Sequence, residues 1–358
     1  MYFCLMMRRM FDHNQQVLLA LVRAGLWERD AELLPYGEFD LGAVLHLAGW
    51  QSVAGLVAAG LEHVSDVTLP PDEVTTFVCR TALLLERRNL GMNRLIGELV
   101  DQMRGAGLTP VLVKGSGVAR CYERPLWRRC GDIDLLFSPE EYPKAVAFLL
   151  PLATRKRRET NPSVCTHLYF GEWAVDLIGA LWRGPAPKVN AEMDALQREA
   201  FAKKNFRVWR DGEHEIPLLG VDDDLFLLFS HFVKHFYRKG VVLRQVCDWC
   251  RFLWTYREEV DVDLLAARLR RTDLMREWKA FAALAVDVLG MPVAAMPFYQ
   301  DKKKWHAKGA QILDFILKGG FQRRQRDYLA LARMFPAKFM TLWVLPSVRR
   351  RVRKVFRG

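Results

Sequence analysis

The hydrophobic period of this chain changes twice, and those changes limit its fold more tightly than any other feature. From about Asn14 to Met103 apolar residues recur at helical spacing, first through Val17, Leu18, Leu21 and Leu26, then from Leu41 to Leu61. Pro70-Pro71-Asp72 opens a third helix, for which Asp72 is an acceptable N-cap and Gly105 with Gly107 a natural stop. The period then shortens. Thr109 to Gly115 is a β-like run ending in glycine. Asp132-Ile133-Asp134-Leu135-Leu136-Phe137 alternates and then turns continuously apolar, as a buried strand does. Pro139-Glu140-Glu141 starts a helix, and His167 to Phe170 and Trp173 to Ile178 are two strands joined by Gly171-Glu172, a type II′ hairpin signal. Helical spacing returns at Asp222-Asp223-Asp224, which reads as the cap of a helix from Leu225 to Phe236, and continues through Val241 to Tyr256 and beyond. The succession predicts an α+β chain. A small mixed-sheet core over 108–184 is expected between an N-terminal helical segment, 1–107, and a C-terminal helical lobe with a basic tail, 185–358.

The chemistry is concentrated between Val111 and Leu136, with Asp176 beyond. Lys114-Gly115-Ser116-Gly117 directly follows a strand. Glycine lets backbone N–H groups approach phosphate oxygens closely, and a serine hydroxyl adds a donor. The turn lacks the spacing of a P-loop, which argues against a Walker-type NTPase. Asp132 and Asp134, at i and i+2 of a strand, project to the same face. Two adjacent carboxylates on a buried strand repel each other unless a cation lies between them. Magnesium suits that role, since it binds through one or two carboxylates plus substrate phosphates. Asp176, inside the apolar run Ala174 to Ile178, can supply a third carboxylate from a neighbouring strand.

Gly115-Ser116, Asp132-x-Asp134 and the later Asp176 resemble the G-S … D-x-D … D signature of the polymerase-β-type nucleotidyltransferase superfamily. More narrowly, Lys114-Gly115 … Tyr122 … Arg128 … Asp132-Ile133-Asp134-Leu135-Leu136 is similar to an uncharacterised nucleotidyltransferase family of bacterial genomes. That family also resembles this chain in an H-x-x-x-H helix, here His231 and His235, and an L-R-x-x-x-D helix, here Leu243-Arg244 and Asp248. The resemblance implies transfer of a nucleoside monophosphate from an NTP such as ATP to an unidentified acceptor hydroxyl or phosphate, with two magnesium ions or manganese in their place. It implies that Asp132, Asp134 and Asp176 are catalytic metal ligands. Lys114, Gly115, Ser116, Arg128 and Arg129 would bind the triphosphate, and His231, His235 and Arg244 would line an acceptor pocket. His167, where its strand begins, can reach the same site, with a plain strand-entry histidine as the commoner outcome.

Other interpretations of the same residues stay open. His231 and His235 have the i, i+4 spacing of zinc helices, but Phe232 stands where H-E-x-x-H needs glutamate, so core or cleft histidines fit better. Arg244 and Asp248 are expected to pair with each other along one helix. A catalytically silent, nucleotide-binding scaffold of the same fold is the main alternative to an enzyme. The formal net charge of +12 favours an anionic partner, but no aromatic-rich module accompanies it, which argues against nucleic acid. Trp343 followed by Arg349-Arg350-Arg351-Val352-Arg353-Lys354 suits a weak peripheral membrane contact, with a solvated tail as the plainer alternative. Seven irregularly placed cysteines form no disulfide framework and fit a reducing cytoplasm. Cys247-Asp248-Trp249-Cys250 has no second ligand pair and lies within an apolar helix, so both thiols are expected in the core.

Overall fold

One seven-stranded mixed sheet organises the computed structural model, which describes residues 10–157, 163–181, 186–238, 240–319 and 325–339. Helices α1 (His13–Trp27), α2 (Leu41–Trp50), α3 (Ala54–Leu61) and the long α4 (Pro71–Gly105) precede it. Asp12 and Asp40 cap α1 and α2 by accepting from the backbone N–H of Gln15 and Ala43. Asp72 does not cap α4 as expected. Pro71, which lacks the N–H that a cap would satisfy, takes the first helical position, and Asp72 sits in the first turn beside the positive end of the helix dipole.

The strands are β1 (Val111–Val113), β2 (Ile133–Leu136), β3 (Arg155–Lys156), β4 (Cys165–Phe170), β5 (Trp173–Ile178), β6 (Phe206–Asp211) and β7 (His214–Leu219). Their spatial order is β3-β4-β5-β2-β1-β7-β6. Helix α5 (Gly115–Ala119) follows β1, and α6 (Tyr142–Leu149) follows β2. The β4–β5 hairpin closes through Gly171 at φ +58°, as its sequence predicts. No strand is expected between residues 185 and 221, yet β6 and β7 lie there and extend the sheet past β1. Their alternation is faint because β6 is an edge strand: Trp209 is buried while Val208 and Arg210 face solvent. The turn carried the clearer signal. Gly212-Glu213 repeats the dipeptide of the other hairpin, with Gly212 also at φ +58°.

The sheet separates two apolar clusters. Ile133, Leu135 and Phe137 pack with Met92, Ile96 and Val100 of α4 on one side. Leu136 faces the other side, toward the larger cluster that contains the helices after β7. These are α8 (Val221–Arg238), α9 (Leu243–Thr255), α10 (Val262–Arg271), α11 (Met275–Asp287), α12 (Lys303–Gly319), α13 (Gln325–Met334) and the short α14 (Pro336–Phe339), joined in that cluster by α7 (Pro187–Lys203), which lies between β5 and β6. At their centre Phe229 lies against Trp249 and Trp278, with ring centroids 5.5 and 4.6 Å away. Cys247 and Cys250 are core residues, as expected. Helix α8 begins at Val221, so its three aspartates lie in the first turn rather than capping it. Two of them are tied to arginines, Asp223 to Arg268 and Asp224 to Arg207, each at 2.6 Å.

Arg251 of α9 joins this lobe to the N-terminal helices by donating to the carbonyls of Cys121 and Leu26. Among the described residues no helix is long and apolar enough to cross a membrane. The basic tail and Arg323-Arg324 lie outside the described residues.

Candidate functional site

The register of the sheet brings the acids together. In the parallel pair β2–β5, Asp134 lies beside Asp176, and in the antiparallel pair β4–β5, Asp176 lies opposite His167. Asp134 shares the parity of Leu136, so its carboxylate projects toward the side of the sheet that carries α8 and α9. Asp132, two residues earlier, projects to the same face. One oxygen from each of Asp132, Asp134 and Asp176 lies within 4.8 Å of the others. Asp134 is buried, Asp176 half-buried and Asp132 exposed, so the trio runs from the sheet outward.

The turn after β1 supplies the countercharge. Lys114 has φ +60° and ψ −146°, a backbone conformation that costs a non-glycine residue about 1–3 kcal/mol. Gly115 follows at φ +42°, with no Cβ to crowd the Asp132 carbonyl. Lys114 Nζ reaches Asp134 Oδ2 at 2.9 Å. Burial pushes the Asp134 carboxyl up to about 7; Lys114 pulls against that rise, while Asp132 and Asp176 add to it. Burial alone would lower Lys114, but Asp134 and the other two carboxylates outweigh it and hold the ammonium above its usual range. Lys114 therefore stays charged, and Asp134 is the acid whose ionised form burial opposes most. Burial also raises Asp176, opposed by its 2.6 Å hydrogen bond with His167 Nδ1.

Above the acids opens a cleft of about 320 Å³. Its far wall carries His231 and His235 from α8 with Arg244 and Gln245 from α9. The two histidines touch through their Nε2 atoms at 3.0 Å. Burial, helped by the charge of Lys114, drives His231 well below the usual histidine range, so its imidazole is neutral at pH 7. Arg244 donates to the Arg129 carbonyl, and its Nε is buried without a hydrogen-bond partner.

The residues expected to bind phosphate take different positions. Lys114 and Gly115 line the cleft. Arg128 also borders it, but its guanidinium is held by Asp248 through Nε at 3.0 Å and Nη2 at 2.7 Å. Arg244 and Asp248 are therefore not the pair that their helical spacing predicts. The planar guanidinium of Arg128 offers the carboxylate two parallel bonds, and Tyr122 adds a third at 2.8 Å. Ser116 is buried, with its hydroxyl turned to the sulfurs of Met92 and Cys130. Arg129 is exposed. His231, His235 and Arg244 share the cleft with the acids, and His167 adjoins it through Asp176. Sequence reasoning missed Gln245 and also Cys165, whose Sγ lies 3.9 Å from His167 Nδ1; the i, i+2 spacing of Cys165 and His167 on a strand was the available signal.

Three carboxylates, one of them the buried Asp134, converge with oxygen donors alone, which fits a hard divalent cation. A family model described as an uncharacterised nucleotidyltransferase matches residues 37–290, well over half of the chain. No curated protein and no solved structure matches it.

Proposed function

The chain belongs to the uncharacterised nucleotidyltransferase family, and from that footing we propose that it transfers a nucleoside monophosphate from an NTP to an acceptor hydroxyl or phosphate. The acceptor oxygen bonds to the α-phosphorus as the bond to pyrophosphate breaks. The observation that carries this reading is the convergence of Asp132, Asp134 and Asp176 at the floor of a cleft bordered by Lys114 and Gly115. Those three carboxylates hold the divalent ions. Two ions bound there would make the acceptor oxygen more acidic and stabilise the leaving pyrophosphate. Lys114 neutralises triphosphate charge, and the turn at Gly115 lets the backbone approach it. Arg128, whose charge is matched by Asp248, acts with Ser116 and Arg129 through the turns that carry them. His231, His235 and Arg244 face the acceptor. The six cysteines among the described residues form no disulfide, which suits the cytoplasm.

One observation favours the silent, nucleotide-binding alternative: Lys114 already places a cation 2.9 Å from Asp134. Calorimetric titration with each NTP, with and without magnesium, separates the two. Magnesium-dependent binding that disappears in the Asp132→Ala/Asp134→Ala double variant is expected of the enzyme. Binding indifferent to both magnesium and the substitutions supports the scaffold, and no NTP binding at all overturns the transferase.

A further inference from the structure

Asp176 stands between two groups of donors. On one side are the oxygens of Asp132 and Asp134; on the other are Cys165 and His167 of β4. Cys165 and His167, at i and i+2, share a face of the strand, and the register sets His167 directly opposite Asp176. His167 Nδ1 lies 2.6 Å from Asp176 Oδ1 and 3.9 Å from Cys165 Sγ, so the thiol and the carboxylate approach the same ring nitrogen. One donor atom of each residue lies within 4.8 Å of the other two.

We propose that Cys165, His167 and Asp176 form a second cation site, which takes a borderline-soft divalent ion such as zinc or cobalt(II). The acid trio is all oxygen and suits hard ions, whereas one sulfur, one nitrogen and one oxygen favour zinc and its neighbours. Bond lengths of about 2.0–2.3 Å in a tetrahedral site put donors roughly 3.3–3.7 Å apart. The sulfur–nitrogen separation therefore contracts slightly and the nitrogen–oxygen separation opens by about 1 Å, within reach of side-chain rotation. Binding releases one proton, from the thiol to solvent, while the imidazole coordinates through Nδ1 as the tautomer whose single proton sits on Nε2. Three protein donors leave a fourth position for water. Because Asp176 is common to both groups, an ion held by Cys165 and His167 draws that carboxylate from the acid trio and weakens magnesium–nucleotide binding. This last consequence rests on the proposed nucleotidyl transfer; the site itself does not.

Cobalt(II) titration of the full chain tests it. A sulfur-to-cobalt charge-transfer absorption saturating at one ion per chain is expected, lost in Cys165→Ser and kept in Cys79→Ser, which alters an exposed cysteine elsewhere. No such absorption, or one that survives in Cys165→Ser, overturns the site and leaves a hydrogen-bonded His–Asp pair beside a bystander thiol. Should Cys165→Ser fail to fold, alkylation of the wild-type chain mapped by mass spectrometry gives an independent answer. Zinc, and not magnesium, protects Cys165 if the site is real; equal labelling with and without zinc refutes it. A chain that shows the cobalt band but binds no NTP sinks the transferase and leaves this site standing. Magnesium-dependent NTP binding without the band does the reverse.

Discussion

Asp248 and the trio of Asp132, Asp134 and Asp176 border the same cleft, and they are balanced in opposite ways. Asp248 has a full complement of partners: both forks of Arg128 and the hydroxyl of Tyr122. Burial works to raise its carboxyl, and the Arg128 guanidinium overrides this and holds it below the usual range. Asp223 and Asp224 also have an arginine each, yet burial outweighs it and raises both carboxyls. Asp132, Asp134 and Asp176 instead share one lysine and one histidine among three acids, and Asp134 is pushed up to about 7. At Asp248 one acid meets one guanidinium. At the trio the acids outnumber their partners, which is the imbalance that the proposed divalent ions would relieve.

The sharpest way to break this comparison is to remove a partner from the balanced group. Arg128→Met strands a buried Asp248 and should cost about 3–5 kcal/mol, read as a lower midpoint in urea unfolding. A cost near zero would show that Asp248 is not held by its arginine. The same pair has a signature in pH. A carboxyl whose folded pKa is depressed stabilises the protein above the unfolded value of about 3.9, and that stability is lost as pH falls through the folded value. Acid unfolding of the wild type should steepen below about pH 4, and Asp248→Asn should flatten that limb. Matching profiles would remove Asp248 from the account. The smallest effect belongs to the crowded group and has the opposite sign. Asp132→Asn relieves repulsion and should raise stability by about 1 kcal/mol while magnesium-dependent NTP binding falls. A loss of stability instead would mean that Asp132 is structural.

The acid trio was legible because two simple rules acted together. Strand parity put Asp132 and Asp134 on one face, and the apolar residues around Asp176 marked its strand as buried. The partner of Asp248 was not legible. Arg128 is 120 residues away in sequence, and helical spacing offered Arg244, a nearer and wrong answer. Ser116 misled for a similar reason, because a glycine-rich turn specifies backbone direction but not which way a buried hydroxyl points. The β6–β7 hairpin escaped notice because an edge strand covered on one side only has little hydrophobic alternation to detect.

The turn from β7 into α8 has a consequence for how the cleft meets its ligand. β7 pairs with β1 just upstream of Lys114, and α8 begins at Val221, so the strand that flanks the floor leads at once into the helix that forms the wall. Val111, Val113 and Leu136 of the sheet share one apolar cluster with Phe229, Phe232 and Trp249 of α8 and α9. Floor and wall are therefore braced by the same packing, so the proposed nucleotide would meet a cleft whose two sides are tied to one core.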